Sequence, residues 1–557
     1  MNVITIEDWR QYFPFNKIRP EQEKAINFIL NSFINEGKTY CVCELSTGVG
    51  KSATGVCIAR YLEEHGGSTV DDEGIVTTGA YILTTQKVLQ QQYLNDFGPG
   101  TGASKNLMLS IKSATNYTCG FYPDQSCAES RRVLTQLKKH LAGTDFQKSC
   151  GQGNCCYVKD KSAFIESPIS ITNFSYFLAE TMYGKQLLPR SLLVIDEAHN
   201  VESELGKFIE VTFSEKFSKD VLKCKNPALD TQEAIFNWIS EVYKPKLAKH
   251  IKALEKSMTK HYKAGLEGFS EFSKQYETLD KHICKVNRFI TSYSPENWIV
   301  NIIKPIEGNK RGGRKFEFKP IDVSRFAHDM LFKFGSRTLM MSATIINKDV
   351  FCKTIGLDPN DVAFLSLPSP FPIANKPVHY LPVGSMSLKN IKETLPILAE
   401  TVKMLLGQHP NEKGVIHCVN YKIAQYLLEN VKSPRLLAHN SENRDITLKS
   451  HTTGTSASVL LSPSMMEGVD LADDASRFQI LCKIPFPYLG DEVIKKRMEN
   501  NKAWYAYQTV KTIVQAMGRS VRNENDYATS YILDTDWERF YKNNSSMFPS
   551  EFSATLI

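Results

Sequence analysis

The sequence predicts an α/β protein built on parallel sheets, and three observations carry that expectation. The short runs TYCVCELS (39–46), AYILTT (80–85) and SLLVIDEA (191–198) read as buried strands. Segments with helical spacing of apolar residues lie between them, and that alternation builds parallel sheets. The pattern returns after RTLMMSAT (337–344), with strands expected at GVIHCV, SVLLSP, FQILCKI and TSYILD.

The elements follow in order. PEQEKAINFILNSFINE (20–36) fits an amphipathic helix, and TYCVCELS, the turn TGVG and KSATGVCIARYLEE then make a strand–loop–helix unit. Two insertions interrupt the first half. Residues 105–165 hold a cysteine cluster, and residues 205–315 are rich in lysine, glutamate and aromatics, with helical periodicity and little strand signal. The clearest helix there is 242–263, and GNKRGGRK (308–315) reads as a basic, glycine-containing loop.

Bulk properties bound the answer. At ~100–200 residues per domain, 557 residues make three to five domains, and 42% hydrophobic with 23% charged residues suits a globular chain. The net charge of +7 permits a nucleic-acid partner and equally a solvated lysine-rich surface. No run approaches the ~18 apolar residues of a membrane span. The N-terminus MNVITIEDWRQYF has no basic region followed by an apolar run, so no signal peptide is expected. The expected compartment is the cytoplasm, or the nucleus in a eukaryotic host. Thirteen cysteines are too few for a disulfide scaffold of this size, and five of them fall between Cys119 and Cys156.

Two motifs carry phosphate chemistry. ELSTGVGKS (44–52) sits between a strand and a helix, the context of a phosphate-binding loop. Gly48 and Gly50 let the backbone approach an anion, which Thr47 to Ser52, Val49 included, and the helix N-terminus would surround. Lys51 would meet the β- and γ-phosphates of ATP and Ser52 would ligate Mg²⁺. The first glycine of the generic pattern is replaced by Leu45, and a chance glycine-rich turn is the competing reading. Asp196, Glu197, Ala198 and His199 follow the apolar strand LLVI. Asp196 would hold Mg²⁺ and Glu197 would orient or deprotonate the attacking water. The alternative is a helix start with stabilising acids.

VIDEAHN together with STGVGKS resembles the superfamily two helicases, and the remaining motifs resemble the XPD/DinG family in order from residue 13 to about 535. FPFNKIRPEQ (13–22) is similar to the family's glutamine motif, so Gln22 is expected to read the adenine edge, with Phe15 nearby. LTTQKVLQQQ (83–92) resembles motif Ia, where Thr84, Thr85 and Gln86 would bind DNA phosphates. ITNFSYFL (171–178) resembles a further strand-contacting segment through Asn173. Ser342, Ala343 and Thr344 resemble motif III, which with His199 couples hydrolysis to DNA contact. SPSMMEGVDL (462–471) resembles motif V through Glu467, Gly468 and Asp470. QAMGRSVRNENDYA (515–528) resembles motif VI, with Gln515, Arg519 and Arg522 on one helix face toward the γ-phosphate. A solvated basic face is its alternative reading. ILDTDWERF departs from the family, because Arg539 comes later than usual after the final strand.

The cysteines Cys119, Cys127, Cys150, Cys155 and Cys156 are separated by seven residues, then 22, then four to Cys155. Four thiolates suit zinc or an iron–sulfur cluster, and spacing alone does not choose. The resemblance implies a 4Fe–4S cluster held by Cys119, Cys127, Cys150 and Cys155, with Cys156 as competitor.

The resemblance implies two RecA-like motor domains, with the iron–sulfur and a helical arch-like insertion in the first. Expected boundaries are 1–104, 166–204 and 316–348 for the first motor domain, 105–165 for the cluster domain, 205–315 for the arch and 349–557 for the second motor domain. Lys244, Lys246, Lys249 and Lys252 line a DNA channel or simply face solvent. The implied activity is that of a monomeric ATP-dependent DNA helicase moving 5′→3′ on single-stranded and forked DNA. A nucleotide-switched DNA-binding factor and an RNA helicase are the alternatives. Repair, replication and defence all use such a motor.

Overall fold

The computed structural model describes residues 6–66, 69–70, 76–99, 108–136, 144–145, 147–148, 155–264, 269–305, 313–440, 442–463, 471, 473–518, 520–521, 523 and 525–557. Its strands in the first part of the chain are β1 (Tyr40–Leu45), β2 (Thr69–Val70), β3 (Val76–Thr77), β4 (Ala80–Thr84), β5 (Met108–Ser110), β6 (Ile169–Asn173) and β7 (Arg190–Asp196). Then come β8 (Val211–Ser214), β9 (Trp298–Ile303), β10 (Lys315–Pro320), β11 (Gly335–Ser342) and β12 (Val362–Leu367). Seven of these form one sheet in the order β12-β1-β11-β7-β4-β6-β5, parallel at every pair. The second lobe holds β13 (Val378–Gly384), β14 (Gly414–His417), β15 (Leu436–Ala438), β16 (Val459–Ser462), β17 (Phe478–Leu481) and β18 (Thr529–Asp534). They form a second all-parallel sheet in the order β13-β18-β17-β14-β16-β15.

The strands are where the apolar runs put them, for a simple reason. Every residue of β4 and β7 is buried, because helices cover both faces of a parallel sheet and leave no side for polar alternation. On one face of the first sheet pack α1 (Pro20–Ile34) and α2 (Lys51–His65), burying Ile26, Ile29, Val56 and Ile58 against Cys41, Ile82 and Val194. The other face joins the inserted segments in one continuous core through Phe174, Phe177, Leu193 and Met340.

Two differences from the sequence reading have clear causes. The first sheet runs past residue 349, since β12 pairs in parallel with β1 from Tyr40 opposite Val362 to Leu45 opposite Leu367. The second insertion is also not purely helical. Its long helices, Lys244–Ala264 and Phe269–Ser292, stand beside an antiparallel sheet in the order β8-β10-β9. β8 and β10 alternate in burial, so they resemble neither a fully buried strand nor a helix stripe. Arg314, in the expected basic, glycine-containing loop, is held by Glu215 at 2.7 Å and Asp230 at 2.6 Å. Among the described residues no helix is long and apolar enough to cross a membrane.

Arg190 shows how tightly the first lobe is tied. It is 5% exposed and stacks 4.2 Å above the Tyr81 ring. Its guanidinium donates to the carbonyls of Ala80 at 2.9 Å and Ile165 at 2.6 Å and to Ser170 Oγ at 2.9 Å. Removing it strands buried acceptors, each worth ~1–3 kcal/mol. Arg190→Met is therefore expected to destabilise the first lobe by about 2–4 kcal/mol, read as a lower midpoint of its denaturant transition.

Candidate functional site: a phosphate loop facing an interlobe cleft

β1, β7 and β11 end at the same edge of the first sheet, where open parallel sheets bind ligands. The loop after β1 turns through Gly48 and Gly50, both at φ +90°, a region side chains rarely adopt. A Cβ on Gly48 would lie 2.1 Å from the Phe371 ring, and one on Gly50 would lie 2.2 Å from Gln22 Nε2. Gly50 begins α2 without a side-chain cap, so the first amides of that helix are left for an anion.

Gln22 is buried under this loop. Its Oε1 accepts from the Arg19 amide at 2.9 Å and its Nε2 lies against Gly50, which places the expected adenine reader beside the phosphate loop. Phe15 packs against Phe13 and Phe97 and is half exposed. Arg19 donates to the Gly48 carbonyl. Ser46 Oγ donates to Glu551 at 2.9 Å, so the last helix of the chain also touches the loop.

Asp196 ends β7 as a buried carboxylate. Oδ1 accepts the Glu197 amide at 3.0 Å and Oδ2 accepts the Tyr93 hydroxyl at 2.8 Å. Burial, reinforced by the Glu197 charge, pushes its pKa up to about 6, while Lys51 pulls the other way. Glu197 sits at φ +53°, and its carboxylate lies 3.3 Å from His199. His199 Nδ1 is 2.7 Å from Ser342 Oγ, which accepts the Thr344 amide at 3.1 Å. Thr344 Oγ1 in turn accepts Gln515 Nε2 from the second lobe at 2.7 Å. This path leads from the acidic pair to the other lobe, and the buried Gln515 Oε1 at its end has no hydrogen-bond partner among the described residues.

Three participants were not foreseen. Glu44, within β1, accepts the amides of Ile345 at 2.8 Å and Ile346 at 2.7 Å and the Ser366 hydroxyl at 2.8 Å. It thereby holds Ile346 at φ +63°, which a β-branched residue avoids. An acid inside an apolar strand was the available signal. Glu202, three residues after His199, accepts Gln508 Nε2 at 3.0 Å and Trp504 Nε1 at 3.1 Å and pairs with Arg497, all across the cleft. The third is Tyr93. A cavity of about 340 Å³ opens beside this network, lined by His199, Glu202 and Lys319 and by Arg497, Trp504 and Lys511.

The other expected residues divide. Thr84 is fully buried and its hydroxyl donates to the Gln86 carbonyl at 3.3 Å, so it shapes the strand end and presents nothing to a ligand. Thr85 is half-buried and Gln86 exposed. Asn173 caps the helix Phe174–Ala179 by accepting the Tyr176 amide at 3.0 Å. Lys246, Lys249 and Lys252 are exposed, and Lys244 is half-buried. Cys127 and Cys155 meet with sulfurs 3.2 Å apart, whereas Cys156 is exposed. Cys119 is buried and its sulfur accepts the Tyr122 amide at 3.4 Å. Among the described residues no group of three or more His, Cys, Asp and Glu is arranged to hold a metal. Cys150, Glu467, Gly468, Asp470, Arg519 and Arg522 lie outside the described residues.

The Asp196 carboxyl makes a pH prediction for the nucleotide-free protein. Its folded pKa of about 6 exceeds the ordinary 3.8, so the ionised form destabilises the fold above pH 6. That penalty shrinks as pH falls through about 6 and is gone below the ordinary value. Asp196→Asn is expected to raise the thermal midpoint at pH 8, by the equivalent of about 1–3 kcal/mol, and to lose this advantage near pH 4.

Residues 15–229 match the family model of the type III restriction enzyme res subunit, and residues 407–555 match that of the helicase C-terminal domain. The chain is 25% identical over 248 residues to the ATP-dependent DNA helicase DinG of Photobacterium profundum. That alignment covers 41% of this chain and spans only 35% of the relative's length. A solved XPD helicase structure shares the fold with TM-score 0.61 at 15% identity, over 96% of this chain and 99% of that one. The solved S. tokodaii Xpd4 structure gives TM-score 0.56 at 13% identity, over 97% and 99%. Two RecA-like lobes with insertions in the first are thus the architecture, and the chain is similar to the XPD/DinG-like helicases of superfamily two over the segments matched.

Proposed function

We propose that this chain is an ATP-driven DNA helicase that moves 5′→3′ on a single strand and opens duplex or forked DNA. The observation that supports this most is the hydrogen-bonded path from Glu197 and His199 through Ser342 and Thr344 to Gln515 in the second lobe. A nucleotide on the phosphate loop would sit at one end of that path, so its cleavage would alter contacts between the lobes.

Each group has a task in this reading. Lys51 and the open amides of α2 take the β- and γ-phosphates. Ser52 and Asp196 fit Mg²⁺, because a buried carboxylate with a raised pKa gains from a cation. Bound Mg²⁺ neutralises phosphate charge. Glu197, turned toward His199 by its left-handed backbone, orients the attacking water, with the unpaired Gln515 Oε1 as a second acceptor. Arg519 and Arg522 stabilise charge developing on the γ-phosphate, and Asp470 completes the second lobe's share. Thr85, Gln86 and Asn173 contact the strand. In the first insertion, Cys127 and Cys155 fit a cluster. Burial and the Cys155 sulfur push the Cys127 thiol up to about 12, a penalty that binding as thiolates to iron would remove. Cys119 and Cys150 complete the proposed 4Fe–4S ligand set. The cluster would stiffen a small insertion.

Lys51→Ala is expected to lower ATP turnover by ~100-fold or more and abolish strand displacement, with single-strand binding little changed. DNA-stimulated turnover without displacement on a forked substrate would instead favour a nucleotide-switched binding factor. Preferential stimulation by RNA would favour an RNA helicase. For the cluster, anaerobically purified protein is expected to carry iron and labile sulfide at about four per chain, and stoichiometric zinc would contradict it.

A further inference from the structure

The helix after motif Ia, α3 (Lys87–Phe97), carries Tyr93, which is 3% exposed. Its hydroxyl donates to Asp196 Oδ2 at 2.8 Å. A buried phenol needs a partner for its oxygen, and here that partner is a carboxylate proposed to hold the cation. The ring itself packs on Phe97, with centroids 5.6 Å apart, a contact phenylalanine would make equally well. The hydroxyl therefore serves the acid and not the core.

α3 is also fixed at its other end. Gln86, Gln90 and Tyr93 follow at steps of four and three residues, which places them along one helix face. Gln90 donates to Ser110 Oγ at 2.8 Å and to the Ile111 carbonyl at 2.9 Å, and it accepts Asn173 Nδ2 at 3.4 Å. The helix that begins at the exposed strand-end groups thus reaches the acidic pair within two turns.

We propose that Tyr93 is a positioning residue of the hydrolytic site. Its hydroxyl holds Asp196 in the geometry that receives the nucleotide's divalent cation, and α3 ties that geometry to what Thr85 and Gln86 touch. The proposal rests on the ATPase reading above. Two contributions follow, one to cation-dependent nucleotide affinity and one to stimulation by DNA.

Tyr93→Phe in the full chain tests it, with fluorescent ADP titrated in Mg²⁺ and in EDTA. The affinity gain on adding Mg²⁺ is expected to fall ~10-fold in the variant, with EDTA affinity unchanged. The ratio of DNA-stimulated to basal ATP turnover is expected to drop at least ~5-fold. An unchanged Mg²⁺ gain, or an unchanged DNA ratio, overturns the proposal. Lys51→Ala serves as the control for the underlying reading. If wild-type protein shows no Lys51-dependent turnover, the ATPase assignment itself fails, whatever Tyr93→Phe does.

Discussion

Among the described residues the two parallel sheets share no strand, so the lobes meet through the connection between β12 and β13 and through contacts in the cleft. Gln515 to Thr344, at 2.7 Å, is the contact that meets the chemistry, because Thr344 belongs to the turn that also carries Ser342 and its partner His199. A hydrogen bond of this kind adds only ~1 kcal/mol, a scale that suits the proposed cycle, in which the contact would break and reform. The turn itself is not free to drift. Glu44 clamps it from β1, immediately before the phosphate loop, and holds Ile346 in a left-handed conformation. The strand that leads into the phosphate loop and the turn that Gln515 touches are therefore bonded directly to each other.

The cost of this arrangement is concentrated at Asp196. A carboxylate at the end of a wholly buried strand disfavours its own ionised form, and three neighbours compensate: the Glu197 amide, the Tyr93 hydroxyl and the Lys51 charge. Each comes from a different piece of chain, namely the strand end, the helix after motif Ia and the phosphate-loop helix. A second bond set, Glu202 with Arg497, Trp504 and Gln508, holds the lobes together on the far side of His199. The lobes are thus joined on both sides of the histidine that faces the acidic pair.

How much of this was legible depended on whether the signal was local. The parallel strands were readable because burial on both faces makes them unbroken apolar runs, as in β7. The phosphate loop was readable because its glycines, lysine and serine act through neighbouring backbone. Tyr93 and Glu44 were not, since their partners lie 103 and 301 residues away in the chain. Thr84 was misread by proximity, since sitting at a strand end does not make a side chain accessible when the strand is fully buried. Gln22 followed the family pattern in position, and the fold places it beside Gly50. The antiparallel sheet of the second insertion escaped because β8 and β10 alternate in burial, unlike the unbroken apolar runs, and lie far apart, at 211–214 and 315–320.

The claim on which all of this turns is that a nucleotide on the Gly48–Lys51 loop changes the separation of the lobes while a strand is held. Single-molecule energy transfer between dyes at the exposed positions Asn95 and Glu429, one on each lobe, measures it directly. A non-hydrolysable ATP analogue with single-stranded DNA is expected to shift the distribution toward a more closed state, and Lys51→Ala is expected to lose the shift. Identical distributions with and without nucleotide, in protein that binds both ligands, would contradict the account.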